Sequence, residues 1–182
     1  MSNYTGAAQS KTTSIGIVEN VITSYGAFRP KVVWTNGCFD ILHVGHIAYL
    51  QKARSLGDML IVGLNGDASV RRIKGPGRPI NGEQDRATVL AALECVSYVI
   101  VFYTDTPMPI LRRIRPDVYV KGGDYTLASL VQEERAFVES YGGDIVLIPT
   151  GSDISTTKII RQIEAEQEND RCPRMNHHQR SL

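Results

Sequence analysis

The chain has 182 residues, of which 42% are apolar, and carries 20 Lys and Arg against 19 Asp and Glu for a net charge of +1. That length suits one domain with its own core, without disulfide or metal staples. The near-neutral charge excludes a broad nucleic-acid-binding face and a membrane-surface protein. Cys38, Cys95 and Cys172 are odd in number and widely spaced, which excludes a disulfide framework and a CxxC metal pair and suits a reducing compartment. Met1–Thr13 lacks the apolar run of a signal peptide, and no apolar stretch approaches the roughly 20 residues a bilayer span needs. A cytoplasmic location is expected.

Residues 1–13, rich in Ser, Thr, Gly and Asn, read as a loose segment. Ile15, Val18, Ile22 and Tyr25 recur at helical spacing and predict an amphipathic helix over 14–28. Lys31–Thr35 (KVVWT) reads as a buried strand ending in the turn signal Asn36-Gly37. Ile47, Leu50, Ala53 and Leu56 predict a helix over 44–56, closed by Gly57 as a left-handed cap. Met59–Leu64 reads as a second strand, and Asp67 as the cap of a helix running to about Ile73. KGPGRPING is a loop by composition, followed by a helix over 83–94. Further strands are expected at Tyr98–Phe102, Asp117–Val120 and Ile145–Ile148. Further helices are expected from Pro107, over 130–141 and from Ser155 to about Glu166.

Strands of about five apolar residues alternating with helices imply parallel strands buried on both faces. The expected fold is α/β: one doubly wound parallel sheet of the Rossmann kind over 14–167, with 168–182 a solvated tail. Such sheets bind ligands at the carboxyl ends of their strands, and four unusual loops fall at those ends.

The first is Thr35–His46, TNGCFDILHVGH. A helix starting near Val44 presents unpaired N–H groups and a partial positive charge, both favourable to phosphate. His43 and His46, three apart, can share a face, and Gly45 lets a ligand approach the backbone. Two imidazoles there can donate to phosphoryl oxygens; the plainer alternative is that one caps and the other packs. The second loop, Arg71–Pro79, sets four cations among Gly and Pro, a charge run that is otherwise inert. Arg86 beyond it is a weaker candidate, equally readable as a surface ion-pair partner of Glu83 or Asp85. The third, VKGGDY (120–125), places Lys121 at a strand end, where burial without an anion is costly; the alternative is a turn with Gly122-Gly123 serving geometry alone. The fourth, Ile154–Lys158, carries Ser155, Thr156 and Thr157 before a helix, where capping is the alternative. Neither GxxxxGK[ST] nor GxGxxG is present.

HxGH after a strand and a TNGCFD-type loop resembles the cytidylyltransferase-like nucleotidyltransferase superfamily. VWTNGCFDILHVGH with the later KGPGRPIN and VKGGDY is similar to the bacterial D-glycero-β-D-manno-heptose 1-phosphate adenylyltransferases, over residues 30–163. The resemblance implies that His43 and His46 contact a triphosphate and that Asn36, Gly37, Cys38 and Phe39 wrap it with backbone groups, Cys38 being a packed residue and no nucleophile. It implies that Ser155, Thr156 and Thr157 contact phosphate and that Lys121 acts beside the histidines. It assigns Asp40, Lys74, Arg78 and Asp124 to the substrate, Asp124 binding a hydroxyl or assisting Mg²⁺.

The implied reaction is transfer of AMP from ATP to heptose 1-phosphate, giving ADP-heptose for lipopolysaccharide or related glycans, with Mg²⁺ held mainly by substrate phosphates and no dedicated metal cage. No kinase portion accompanies the domain, so that step would fall to a separate protein. A homo-oligomer, with a dimer as the default, is implied in the same way. The alternatives are a cytidylyltransferase for glycerol 3-phosphate or a similar phospho-alcohol, a non-catalytic nucleotide-binding module, and a metal-binding tail through Cys172, His177 and His178.

Overall fold

The computed structural model describes residues 11–123, 125–149 and 154–171. Five strands form one sheet in the order β3-β2-β1-β4-β5: β1 is Val32–Gly37, β2 Met59–Asn65, β3 Tyr98–Phe102, β4 Val118–Gly122 and β5 Asp144–Ile148. Every pairing is parallel, with β1 against β2 from Val32↔Met59 to Gly37↔Leu64 and against β4 from Val33↔Val118 to Thr35↔Val120. The helices are α1 (Ile15–Ser24), α2 (Val44–Arg54), α3 (Asp67–Lys74), α4 (Glu83–Ala92), α5 (Met108–Ile114), α6 (Gln132–Ser140) and α7 (Thr156–Arg171).

Period-two alternation divides the core between the two faces of the sheet. Val33, Leu60, Val62, Val99, Val118 and Val120 meet Tyr49, Leu50 and Ala53 of α2 and Ala87, Leu90 and Ala91 of α4. Val32, Trp34, Ile61, Ile100 and Tyr119 meet Val18 and Ile22 of α1, Leu111 and Ile114 of α5 and Val138 of α6. The sheet is therefore doubly wound. Burial on both faces is why β2 reads as an uninterrupted apolar run: all seven of its residues are buried.

The strands expected from sequence all form, with Asp117–Val120 shifted to Val118–Gly122, so that Lys121 lies within β4. Helix ends move more. The 14–28 helix stops at Ser24 and continues as a 3₁₀ turn over Gly26–Phe28. Gly57 is not a left-handed cap: Ser55 ends α2, and a Cβ on Gly57 would stand 2.5 Å from the Lys31 carbonyl oxygen, so its role is close approach to β1. Asp67 is the first helical residue, preceded by Gly66, and makes no cap bond. Of the segment expected to be loose, Thr13 N–H donates to the Val99 carbonyl at 3.0 Å and Lys11 Nζ to the Leu93 carbonyl at 3.0 Å. α7 runs on to Arg171, past the expected boundary at 167. Residues 1–10, Asp124 and the tail from Cys172, with His177 and His178, lie outside the described residues.

Trp34, the only tryptophan, is fully buried and lies flat against β2 at Gly63, where an added Cβ would come 2.4 Å from its Cζ2. Gly63→Ala should destabilise the protein by about 1–3 kcal/mol through overpacking, read from thermal unfolding by tryptophan fluorescence. An unchanged midpoint would mean that the ring moves aside freely.

Candidate active site

β1 and β4 are neighbours, yet the chain leaves β1 toward α2 on one face and β4 toward α6 on the other. Their carboxyl ends therefore part and leave a crevice. A cavity of about 300 Å³ sits there, lined by Asn36, Gly37, Cys38, Phe39, His43, His46, Tyr49, Lys121, Gly122, Gly123, Tyr125, Ile154 and Ser155. An adjoining lobe of about 490 Å³ shares several of these and adds Asp40, Lys74, Arg78, Glu134, Thr156 and Thr157. Every site residue expected from sequence lines one or both lobes, except Asp124, which lies outside the described residues.

The loop after β1 is drawn into shape from beneath. Phe39, although not a glycine, takes the left-handed conformation with φ 45°, a strained state that persists only where the surroundings enforce it. Its ring is buried, 5.4 Å from that of His46. Arg86 is no surface ion-pair partner of Glu83 or Asp85: it is 2% exposed and donates to the carbonyls of Cys38 (2.5 Å), Asn65 (2.9 Å) and Asn81 (2.9 Å) and to Asp67 Oδ1 (2.7 Å). α4 packs against the sheet with this first-turn side chain turned inward, which helical spacing alone does not reveal. Asp40 is likewise buried, and its carboxylate accepts from Arg78 Nε (2.5 Å) and the N–H groups of Ile80 (2.7 Å) and Asn81 (3.1 Å). It thus clasps the 75–82 loop to the loop after β1, and Arg78 reaches the cleft already paired. Lys74, ending α3, is exposed at the rim.

His43 occupies the N-cap position of α2 in extended backbone without a side-chain cap bond, so Val44 and Gly45 present their N–H groups at the helix start. The His43 and His46 rings lie 3.9 Å apart between centroids, at 36°. The Nδ1 atoms of both are buried and find no hydrogen-bond partner among the described residues. Such orphaned nitrogens are costly unless a ligand meets them.

Lys121 Nζ donates to Asn36 Oδ1 at 3.0 Å and stands 3.7 Å from Glu134 Oε2. Glu134, 3% exposed, also accepts a hydrogen bond from the hydroxyl of the fully buried Tyr119. The anion that Lys121 requires at a strand end is thus supplied in part by α6. Sequence reading missed Glu134 because Glu133-Glu134 in a first helical turn looks like a solvated pair. The available signal was Tyr119, whose buried hydroxyl demands an acceptor. Burial pushes the Lys121 ammonium toward the neutral form, and Glu134 opposes that shift. Burial also raises the Cys38 thiol, opposed by Lys74, Arg86 and Arg78, which leaves it a poor nucleophile. Both glycines after Lys121 serve geometry: a Cβ on Gly122 would stand 2.6 Å from the Tyr49 ring, and Gly123 has φ 116°.

At α7, the Ser155 hydroxyl accepts from the Lys158 N–H at 3.2 Å, so it caps the helix and also lines the cavity. The Thr156 hydroxyl donates to the Ile41 carbonyl at 3.2 Å, which fastens α7 to the loop before α2.

Burial lowers the pKa of His43, and burial and then His43 lower that of His46 to about 4. Burial therefore favours the neutral form of both rings at pH 7. A group depressed in this way contributes stability above its unfolded pKa of 6.5, and that contribution fades as pH falls toward 4. A bound polyanion favours the imidazolium and reverses the shift. Pyrophosphate binding at pH 5–6 should therefore take up protons, as measured by calorimetry in buffers of differing ionisation enthalpy. His46→Asn should reduce the uptake, and equal uptake by that variant would rule His46 out as the titrating group.

The chain matches the cytidylyltransferase-like family over residues 34–162. The bifunctional protein HldE of Geobacter sulfurreducens is 51% identical over 158 residues, covering 87% of this chain and 32% of the relative. That of Syntrophotalea carbinolica is 58% identical over 132 residues, covering 72% and 26%. The chain thus spans about a third or less of the length of these curated relatives. Among solved structures, the lipopolysaccharide core biosynthesis protein from Thermoplasma volcanium GSS1 aligns with TM-score 0.55 and 28% identity, covering 66% of this chain and 95% of that one. The pantoate-beta-alanine ligase from Francisella tularensis aligns with TM-score 0.59 at 16% identity, covering 93% and 81%, a likeness of fold alone. With its helix entrance bearing His43 and His46 at the β1–β4 crevice, this chain belongs to the cytidylyltransferase-like family.

Proposed function

We propose that this chain transfers AMP from ATP to D-glycero-β-D-manno-heptose 1-phosphate, releasing pyrophosphate and forming ADP-heptose. The observation that carries the reading is the pair of adjacent imidazoles at the start of α2, whose Nδ1 atoms find no partner among the described residues, in one cleft with Lys121 and Ser155. The heptose acceptor is supported by the KGPGRPIN and VKGGDY segments and by the 51% and 58% identity to the two curated relatives.

The acceptor's phosphate is already anionic and serves as its own nucleophile. One of its oxygens forms a bond to the α-phosphorus, the bond from that phosphorus to the α,β-bridging oxygen breaks, and the electron pair leaves with pyrophosphate. The protein's task is positioning and charge stabilisation. His43, His46 and the Val44 and Gly45 N–H groups donate to phosphoryl oxygens, Lys121 supplies a cation, and Ser155 adds a hydroxyl. Lys74 at the rim and Arg78, held by Asp40, raise the local positive potential for two polyanionic substrates.

Among the described residues no group of three or more His, Cys, Asp or Glu is spaced to hold a metal ion, and the Asp40 carboxylate is already engaged. That donor set fits Mg²⁺ carried in on phosphate oxygens and water. Bound in that way, Mg²⁺ would neutralise part of the triphosphate charge. No helix among the described residues is long and apolar enough to cross a membrane. We take the cytoplasm as the site of action and a dimer as the working assembly.

His46→Ala should lower turnover by about 10²–10³ while leaving the unfolding midpoint unchanged, as measured by pyrophosphate release and thermal unfolding. With each nucleoside triphosphate and either heptose 1-phosphate or glycerol 3-phosphate, release should be fastest for ATP with heptose 1-phosphate. Release confined to CTP with glycerol 3-phosphate would make the chain a cytidylyltransferase. Nucleotide binding without release from any pair would make it a non-catalytic module.

A further inference from the structure

The cleft contains a buried carboxylate that the reaction just described does not use. Two polyanionic substrates must enter a space lined by Glu134, and an unneutralised carboxylate there would repel both. Glu133 shows the ordinary fate of such a residue: it is exposed and pairs with Arg112 at 3.3 Å. Glu134, one position on, is 3% exposed and directed at the sheet. Its Oε2 accepts from the Tyr119 hydroxyl and lies 3.7 Å from Lys121 Nζ. Lys121 Nζ is held from the other side by Asn36 Oδ1 at 3.0 Å. Three elements, β1, β4 and α6, thus converge on one ammonium group.

We propose that Glu134 is a positioning residue for nucleotidyl transfer, holding the Lys121 ammonium charged and fixed at the β1–β4 crevice before the phosphates arrive. A lysine is a point charge on a flexible stem, and anchoring it in advance removes ordering entropy from the reaction step. Lys121 is otherwise faced by the Tyr119 ring at 5.2 Å, the Tyr125 ring at 5.9 Å and, in the loop after β1, the Cys38 thiol. His43 and His46 line the same cavity. Asp124, three residues further along the chain, lies outside the described residues. Glu134 is the carboxylate paired with Lys121 among the described residues. An acid in the first turn of a helix is favourable in itself, so a purely structural role is the alternative that the test must separate.

The proposal rests on the nucleotidyltransferase reading for its consequence, and its first test does not require activity. Glu134→Gln keeps the shape and the acceptor for Tyr119 but removes the charge. In the unliganded protein, the Lys121 side-chain NMR signal, assigned by its loss in Lys121→Arg, should titrate about one unit or more lower in Glu134→Gln. Glu134→Asp should restore most of the difference, and the tryptophan signal reports whether each variant is folded. An unchanged Lys121 titration in folded Glu134→Gln overturns the proposal. In turnover, Glu134→Gln should lower kcat about 10-fold with a smaller change in KM for ATP, and should cost nothing further when added to Lys121→Met. Losses that multiply would assign Glu134 a separate, structural role and overturn the proposal. Absence of pyrophosphate release by the unaltered protein would instead refute the activity, leaving the titration to decide whether Glu134 governs Lys121.

Discussion

Four hydrogen bonds from one buried guanidinium determine where the loops of the cleft lie. Arg86 donates to the carbonyls of Cys38, Asn65 and Asn81 and to the carboxylate of Asp67. These groups follow β1, end β2, close the 75–82 loop and begin α3. Removing the side chain would leave three carbonyls and a carboxylate without this donor; the Asn65 carbonyl is buried, and abandoning such a group costs about 1–3 kcal/mol. Asp40 performs the reciprocal task from the other side, a carboxylate gathering Arg78 and two backbone N–H groups. The shape of the loop after β1 is thus secured by the paired charges of Arg86 with Asp67 and Asp40 with Arg78.

On that frame the cleft is assembled as an incomplete electrostatic system. Orphaned N–H groups at the start of α2, two neutral imidazoles and a desolvated ammonium all gain from a negative partner. Among the described residues only the ammonium has a protein countercharge, and that one sits at 3.7 Å, beyond hydrogen-bond reach. Burial favours the neutral imidazoles, and a bound polyanion would favour their charged forms.

The doubly wound sheet makes the arrangement possible at small cost. Because the chain leaves β1 and β4 toward opposite faces, α2 brings its histidines from one layer and α6 brings Glu134 from the other to a single crevice. α7 then returns to that place, with the Thr156 hydroxyl fastened to the Ile41 carbonyl.

Local chemistry in the chain was enough for much of this. Apolar runs bounded by Gly, Asn and Asp located the five strands, because burial on both faces leaves no room for polar alternation. HxGH after a strand marked the candidate site, because a helix start and two imidazoles three apart are properties of adjacent residues. Tertiary structure alone decided what lies beneath. Arg86 and Glu134 look like solvated helix charges until packing turns them inward, and Gly57 looks like a cap until β1 is seen against it. Asp40 and Arg78 stand 38 positions apart, and only the fold brings them into their 2.5 Å contact. The burial of a charge depends on what covers it, and the covering residues here stand tens of positions away in the chain. Periodicity shows which face of a helix is apolar, whereas the partner that neutralises a buried charge is known only once the layers have met.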